Sequence, residues 1–72
     1  MNKYIIPICD LVGAKVWLHK ISARNLTECQ DKLIRHFEDK YDIDECSYKE
    51  FVDIMDKKHD IAIGDIIDIE TL

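Results

Sequence analysis

The sequence is poor in glycine, with two glycines in 72 residues. Two glycines cannot build a loop that cradles phosphate, and the sequence contains no P-loop, G-x-G-x-x-G or G-x-S-x-G motif. A chain this short also leaves little room for a pocket of ~300 Å3 or more. A cysteine and a histidine brought together only by the fold would escape a sequence reading, so a cysteine-dependent enzyme or sensor stays open as an alternative. We expect no enzyme activity.

Cysteines are few and their number is odd, since the chain has Cys9, Cys29 and Cys46 and no C-x-x-C pair. A disulfide framework favours an even count in a secreted chain, so free thiols in a reducing compartment are expected. Neither the cysteines nor the three histidines have zinc-ligand spacing. A calcium loop starting at Asp42 would need an oxygen ligand and then glycine where the chain has Cys46 and Ser47. We expect no metal and no cofactor.

Long hydrophobic runs are absent, because no stretch approaches the ~20 apolar residues that span a bilayer. The N-terminal "MNKYIIPICD" has one lysine and a very short apolar stretch, which makes a poor secretory signal. The sequence therefore predicts a soluble cytoplasmic protein with no membrane partner.

Charge is unevenly distributed along the chain. Residues 1–37 carry six Lys/Arg and three Asp/Glu, a net charge of +3, whereas residues 38–72 carry four Lys/Arg and twelve Asp/Glu, a net charge of −8. An acidic surface repels nucleic acid and attracts basic partners. The pattern argues against direct nucleic-acid binding and favours another protein with a basic surface, such as a nucleic-acid-binding nuclease.

The first part of the chain predicts a β-hairpin. Apolar residues alternate in "KYIIPIC", residues 3–9, and in "AKVWLHKI", residues 14–21, and "DLVG" between them is typical of a turn. Pro7 cannot donate a ladder hydrogen bond, which predicts that the first strand lies at an edge of the sheet. Trp17 is expected in the core or, if exposed, as the anchor of an interface.

Two helices are predicted from their caps. Asn25 and Glu28 form an N-x-x-E pair that starts a helix over 26–40, and Ser47 and Glu50 form an S-x-x-E pair that starts a second helix ending near residue 58. Each start is followed by an apolar stripe at helical spacing. The serine of "EDKYDIDECSYKE", residues 38–50, is thus explained as a helix cap.

The last segment, "IAIGDIIDIETL", places four isoleucines on odd positions: Ile61, Ile63, Ile67 and Ile69. We predict one strand with a bulge at Gly64-Asp65; a short hairpin turning there is the alternative. The prediction is an α+β fold of β-β-α-α-β order. It consists of one domain over 1–72, with a three-stranded antiparallel sheet and two helices packed on one face.

Acidic residues cluster where local stability does not explain them, because acids at a helix C-terminus oppose its dipole and neighbouring like charges repel. One interpretation is a solvated face; the other is a surface that meets a basic partner. The candidate partner-binding residues are Asp39, Tyr41, Asp42, Asp44, Glu45, Asp53 and Asp56. The alternative function is a structural or regulatory homo-oligomer, at its simplest a homodimer, that assembles through a free sheet edge.

Three stretches, "KYIIPICDL", "LTECQDKLIRHFEDKY" and "IGDIIDIETL", give the chain a resemblance to the compact acidic proteins of bacteriophages and mobile elements, which include anti-CRISPR and other anti-defence inhibitors. The resemblance implies a non-enzymatic inhibitor in a bacterial host cell that occupies a nucleic-acid-binding or subunit-binding surface of a nuclease. It carries over no functional residue, because such inhibitors differ in fold.

Overall fold

The fold is α+β, as predicted, with an antiparallel sheet and two helices in the order β-β-α-α-β. A computed structural model of the chain describes residues 1–43 and 47–69. The strands β1 (Asn2–Asp10) and β2 (Lys15–Ala23) form the hairpin, and the helices α1 (Leu26–Glu38) and α2 (Tyr48–His59) follow it. The final strand is split into β3 (Ile61–Ile63) and β4 (Ile67–Asp68).

The hairpin turn is built on Asp10, as the turn signal "DLVG" predicts. One carboxylate oxygen of Asp10 accepts hydrogen bonds from the backbone N–H groups of Val12 and Gly13, at 3.1 and 3.0 Å. A side-chain acceptor of this kind stands in for a backbone turn contact. A Cβ on Gly13 would lie 2.9 Å from the same carboxylate, so this position favours glycine.

The predicted edge position of β1 is wrong, because β1 is the central strand, between β2 and the split β3–β4 strand. The carbonyl of Pro7 accepts a hydrogen bond of 2.8 Å from the N–H of Gly64, so the backbone of Pro7 faces the β3–β4 side. The missing N–H of Pro7 therefore points at the interruption between β3 and β4. Proline is tolerated at a bulge, where no ladder bond is lost.

The last segment is one bulged strand, as predicted, and the hairpin alternative is excluded. Both β3 and β4 run antiparallel to β1 along the same side of it. Ile63 pairs with Ile8 and Ile67 pairs with Ile5. Between these two pairs the last segment advances by four residues and β1 by three, so the last segment contains one extra residue. One extra residue turns later side chains to the opposite face. The expectation that Ile67 shares a face with Ile63 is therefore wrong.

The helix caps appear where the sequence predicts them. The side chain of Asn25 accepts from the N–H of Glu28 at 2.9 Å, and the hydroxyl of Ser47 accepts from the N–H of Glu50 at 3.3 Å. The two capping pairs differ in one respect. The carboxylate of Glu28 binds Arg24 at 2.8 Å and Lys32 at 3.4 Å, whereas the carboxylate of Glu50 accepts from the Ser47 hydroxyl.

Both helices cover the same face of the sheet, α1 on β2 and α2 on β3. The helices contribute Cys29, Leu33, Phe37, Phe51 and Met55 to the core, and the strands contribute Tyr4, Ile6, Ile8, Ile21, Ala23 and Ile61. Trp17, on this inner face, is half-buried against the core. The other face of the sheet carries no element within the described residues.

We expect Ala14→Gly to stabilise the fold. Ala14 ends the hairpin turn at a φ of 53°, in the left-handed region that costs an L-residue about 1–2 kcal/mol. Glycine removes that strain but adds freedom to the unfolded chain, so the net gain is about 0.5–1 kcal/mol in the free energy of unfolding. Chemical denaturation checks it. Ala62→Gly, in a regular strand, is the control and should destabilise; equal effects of the two substitutions would contradict the assignment of strain to residue 14.

Candidate functional site

A groove of about 620 Å3 lies between α2 and β3 and is open to solvent. It is larger than the size argument from the sequence predicts. Its lining consists of Lys49, Glu50, Val52, Asp53, Asp56, Ala62 and Ile63. We call it the acidic groove. A helix turn separates Glu50 from Asp53 and Asp53 from Asp56, so the three carboxylates lie along one side of α2.

The acidic groove combines an apolar floor with negatively charged sides. Val52 and Ile63 are partly buried and supply the floor, and Ala62 adds to the lining from β3. The three carboxylates face one ammonium group, that of Lys49, so the lining has a net charge of −2. Outside the lining, the ammonium of Lys57 lies 3.3 Å from an Asp53 carboxylate oxygen. Both side chains of this pair are exposed, and exposed pairs contribute little to stability, so Asp53 can exchange Lys57 for another cation.

The candidate residues named from the sequence fall into two groups. Asp53 and Asp56 line the acidic groove, with Glu50 added by the structure. Asp39 is the C-cap of α1, and Asp42 is exposed three residues later. Asp44 and Glu45 lie outside the described residues. The acidic cluster of the sequence is therefore divided between the end of α1 and the exposed side of α2.

Tyr41 closes the corner between the two helices. Its ring centroid lies 6.0 Å from that of Phe37 and 4.6 Å from that of His59. The Nε2 atom of His59 is buried and has no hydrogen-bond partner within the described residues. A half-buried ring that packs in this way is a structural contact. Tyr41 therefore has a packing role, and only part of its side chain is exposed to a partner.

A pair of histidines joins β2 to α1. The ring centroids of His19 and His36 lie 4.5 Å apart. Burial, and then the charge of His36, lower the pKa of His19 from its ordinary value of 6.5. Protonation of His19 is therefore less favourable in the folded chain than in the unfolded chain.

The fold is expected to lose stability on acidification through this pair. Below pH 6.5 the unfolded chain takes up a proton at His19 that the folded chain resists, so the free energy of unfolding falls until the lowered folded pKa is passed. Thermal melts between about pH 7.5 and about pH 5.5 measure the loss. Carboxylates titrate mostly below this window, and His19→Gln is the control. An equally steep fall in His19→Gln would contradict the assignment.

The cysteine thiols are buried or half-buried where the structure describes them. Cys29 is buried, and burial raises the pKa of its thiol, which opposes formation of a thiolate nucleophile. Cys9 is a half-buried free thiol, and Cys46 lies outside the described residues. Over residues 1–43 and 47–69, no three His, Cys, Asp or Glu side chains are grouped so that they could hold a metal ion.

Sequence reasoning missed a second surface, the exposed apolar strip of the hairpin. Leu11, Val12, Val16 and Leu18 are 60%, 77%, 75% and 58% exposed. A signal was present, because both strands of the hairpin have apolar residues on both faces. Two short helices can cover only one face of a sheet. Exposed apolar patches mark interaction sites.

Comparison with protein-family models, with curated proteins and with solved structures finds no match for this chain. Neither helix described here is long and apolar enough to cross a membrane.

Proposed function

We propose that this chain is a non-enzymatic protein-binding module whose acidic groove occupies a basic surface of a partner protein. The observation that carries the proposal is the union of three carboxylates and an apolar floor in one open groove. A lysine or arginine side chain has the matching construction, with an apolar stem and a cationic head. The stem would lie on Val52 and Ile63, and the head would reach the carboxylates of Asp53 and Asp56.

Arginine fits this groove better than lysine. Its planar guanidinium can donate two parallel hydrogen bonds to a carboxylate, and it is less strongly hydrated than an ammonium group. The partner that we propose therefore presents arginine side chains from a basic surface. Asp39 and Asp42, at the end of α1, extend the negative charge beyond the groove and would attract the same surface at longer range.

The biological role that we propose is inhibition. A basic surface rich in arginine commonly binds nucleic-acid phosphates, and a protein that covers it blocks that binding without chemistry. This is the mode of action implied by the resemblance to anti-CRISPR and other anti-defence proteins of bacteriophages. The net charge of −8 over residues 38–72 supports it, because such a charge favours encounter with basic proteins over encounter with nucleic acid.

The proposal is tested by affinity capture from a bacterial lysate with three baits: the wild-type chain, Asp53→Lys/Asp56→Lys, and the control Asp31→Lys/Glu38→Lys. Both double variants have the same net charge, and all four acids are exposed. We expect the wild-type and control baits to retain a basic protein that the groove variant does not retain. We also expect the wild-type chain to block the binding of nucleic acid to that protein. Retention of the same proteins by all three baits would refute the acidic groove as the binding site.

A further inference from the structure

We propose that the free edge of β2 is a homodimer interface, at which the β2 strand of a second copy of this chain adds in the antiparallel direction. Within the described residues β2 has one neighbour, β1, over its whole length of nine residues. The strand contains no proline and no bulge, so its other edge is a regular template for a further strand. This interface lies at the opposite edge of the sheet from the acidic groove.

The orientation of the β2 backbone follows from Pro7. The carbonyl of Pro7, on β1, faces the β3–β4 side. Because backbone groups alternate in direction along a strand, Ile6 and Ile8 of β1 direct their N–H and C=O groups toward β2. Their partners on β2 are His19 and Trp17. The residues that alternate with these two, Val16, Leu18 and Lys20, therefore direct their N–H and C=O groups away from β1, to the free edge.

In the part of the chain that the structure describes, a contact closes the end of this edge near Ser22. The ammonium of Lys32, on α1, donates to the carbonyl of Ser22 at 2.6 Å. This contact confirms that even-numbered residues of β2 face outward. It also protects the edge next to α1, and it leaves the segment from Val16 to Lys20 open.

The open edge and the exposed apolar side chains coincide on the same residues. Val16 and Leu18 are 75% and 58% exposed, and both stand on the sheet face opposite to α1 and α2. Natural edge strands are usually protected by charge, proline or a bulge. Here the centre of the strand is apolar, so a strand that pairs with it also covers apolar side chains, which a monomer would leave in water.

A second copy fits this edge because β2 is self-complementary. With a two-fold axis at Leu18, Leu18 faces its own equivalent, and Val16 faces Lys20 of the second copy. The lysines are thereby kept apart, and each of the three outward-facing residues exchanges two main-chain hydrogen bonds with the residue opposite. Like charges directly opposite each other would destabilise the pair, and this register avoids them.

The assembly should stop at two copies. The opposite edge of the sheet is formed by β3 and β4, which are three and two residues long and are separated by the bulge. Short, bulged strands are poor templates for addition. Over residues 1–43 and 47–69, β2 has the only long free edge of the sheet, so a β2–β2 contact closes the assembly. The interface is small, and a dimer that forms at high micromolar concentration is expected.

Two measurements on the wild-type chain test the proposal. Sedimentation equilibrium from about 10 μM to about 1 mM should show the mass rising from 8.5 kDa toward twice that value and no further. Amide exchange followed by NMR should slow with concentration at Val16, Leu18 and Lys20, whereas the amides of Trp17 and His19 should be protected at every concentration. The proposal would be overturned by a mass that stays at that of one copy or rises beyond that of two. It would also be overturned by a dimer in which amide exchange at Val16, Leu18 and Lys20 does not slow.

A charge pair at the axis tests the register. Leu18→Lys and Leu18→Glu should each weaken dimerisation at least about tenfold, because like charges would face each other, and an equimolar mixture should restore a heterodimer. The control is Ile67→Lys, which adds the same charge on the same sheet face at the other edge and should dimerise like the wild type. No rescue in the mixture, or equal loss in Ile67→Lys, would refute pairing at β2.

Discussion

Phe51→Ala is expected to leave the chain largely unfolded at about 25 °C, because the cavity costs about 3–5 kcal/mol and a core of this size supplies about the same. Phe51 is fully buried, and its ring lies 5.9 Å from that of Phe37 and 6.0 Å from that of Tyr48. It therefore joins α2 to α1 within the hydrophobic core. The far-ultraviolet circular dichroism spectrum and urea titration measure the loss.

Leu18→Ala is the matched control for this substitution. Leu18 is 58% exposed, so the same kind of truncation should change the free energy of unfolding by about 0.5 kcal/mol or less at concentrations where the chain is monomeric. A Phe51→Ala protein that keeps a cooperative transition within about 1 kcal/mol of the wild type would contradict the packing described here.

Asp53→Lys/Asp56→Lys is expected to weaken binding to the basic partner by about 10- to 100-fold at low salt. Each substitution replaces an attraction with a repulsion at a surface contact. The difference in affinity between the wild type and this variant should largely disappear when salt shortens the Debye length to about 3 Å, near 1 M. Titration calorimetry with the captured partner, at low and high salt, measures both effects. An arginine hexapeptide serves as a chemically defined probe.

The control Asp31→Lys/Glu38→Lys separates the groove from net charge. Asp31 and Glu38 lie on α1, away from the lining of the acidic groove, and the control carries the same change in charge. If the groove makes the contact, the affinity of the control for the basic partner should fall by about threefold or less, because only the long-range attraction is weakened. An equal loss in both variants would mean that the partner senses only the overall charge of the chain.

Much of the fold could be predicted because its signals are local. The caps at Asn25 and Ser47 each depend on a backbone N–H three residues away, and they place both helix starts correctly. The turn depends on Asp10 and its next three residues. Alternating apolar residues then give the strands, and one small domain leaves few ways to combine two helices with a hairpin.

The features that sequence reasoning missed depend on contacts between distant segments. Pro7 indicates an edge strand only if its backbone must meet a regular neighbour; here it meets the bulge that follows Ile63. The bulge was predicted, but its consequence for Ile67 follows from the pairing register, which the sequence does not show. The acidic groove depends on where β3 lies beside α2, which the sequence does not show, so the groove and its apolar lining were not predicted.

The most direct test of the account is the NMR footprint of the captured partner on this chain labelled with 15N and 13C. If the acidic groove binds the basic surface, the largest shift changes should fall on the side-chain carboxyl carbons of Glu50, Asp53 and Asp56 and on the amides of Ala62 and Ile63. Changes confined to the hairpin between Leu11 and Leu18, with these carboxyl signals unmoved, would contradict it.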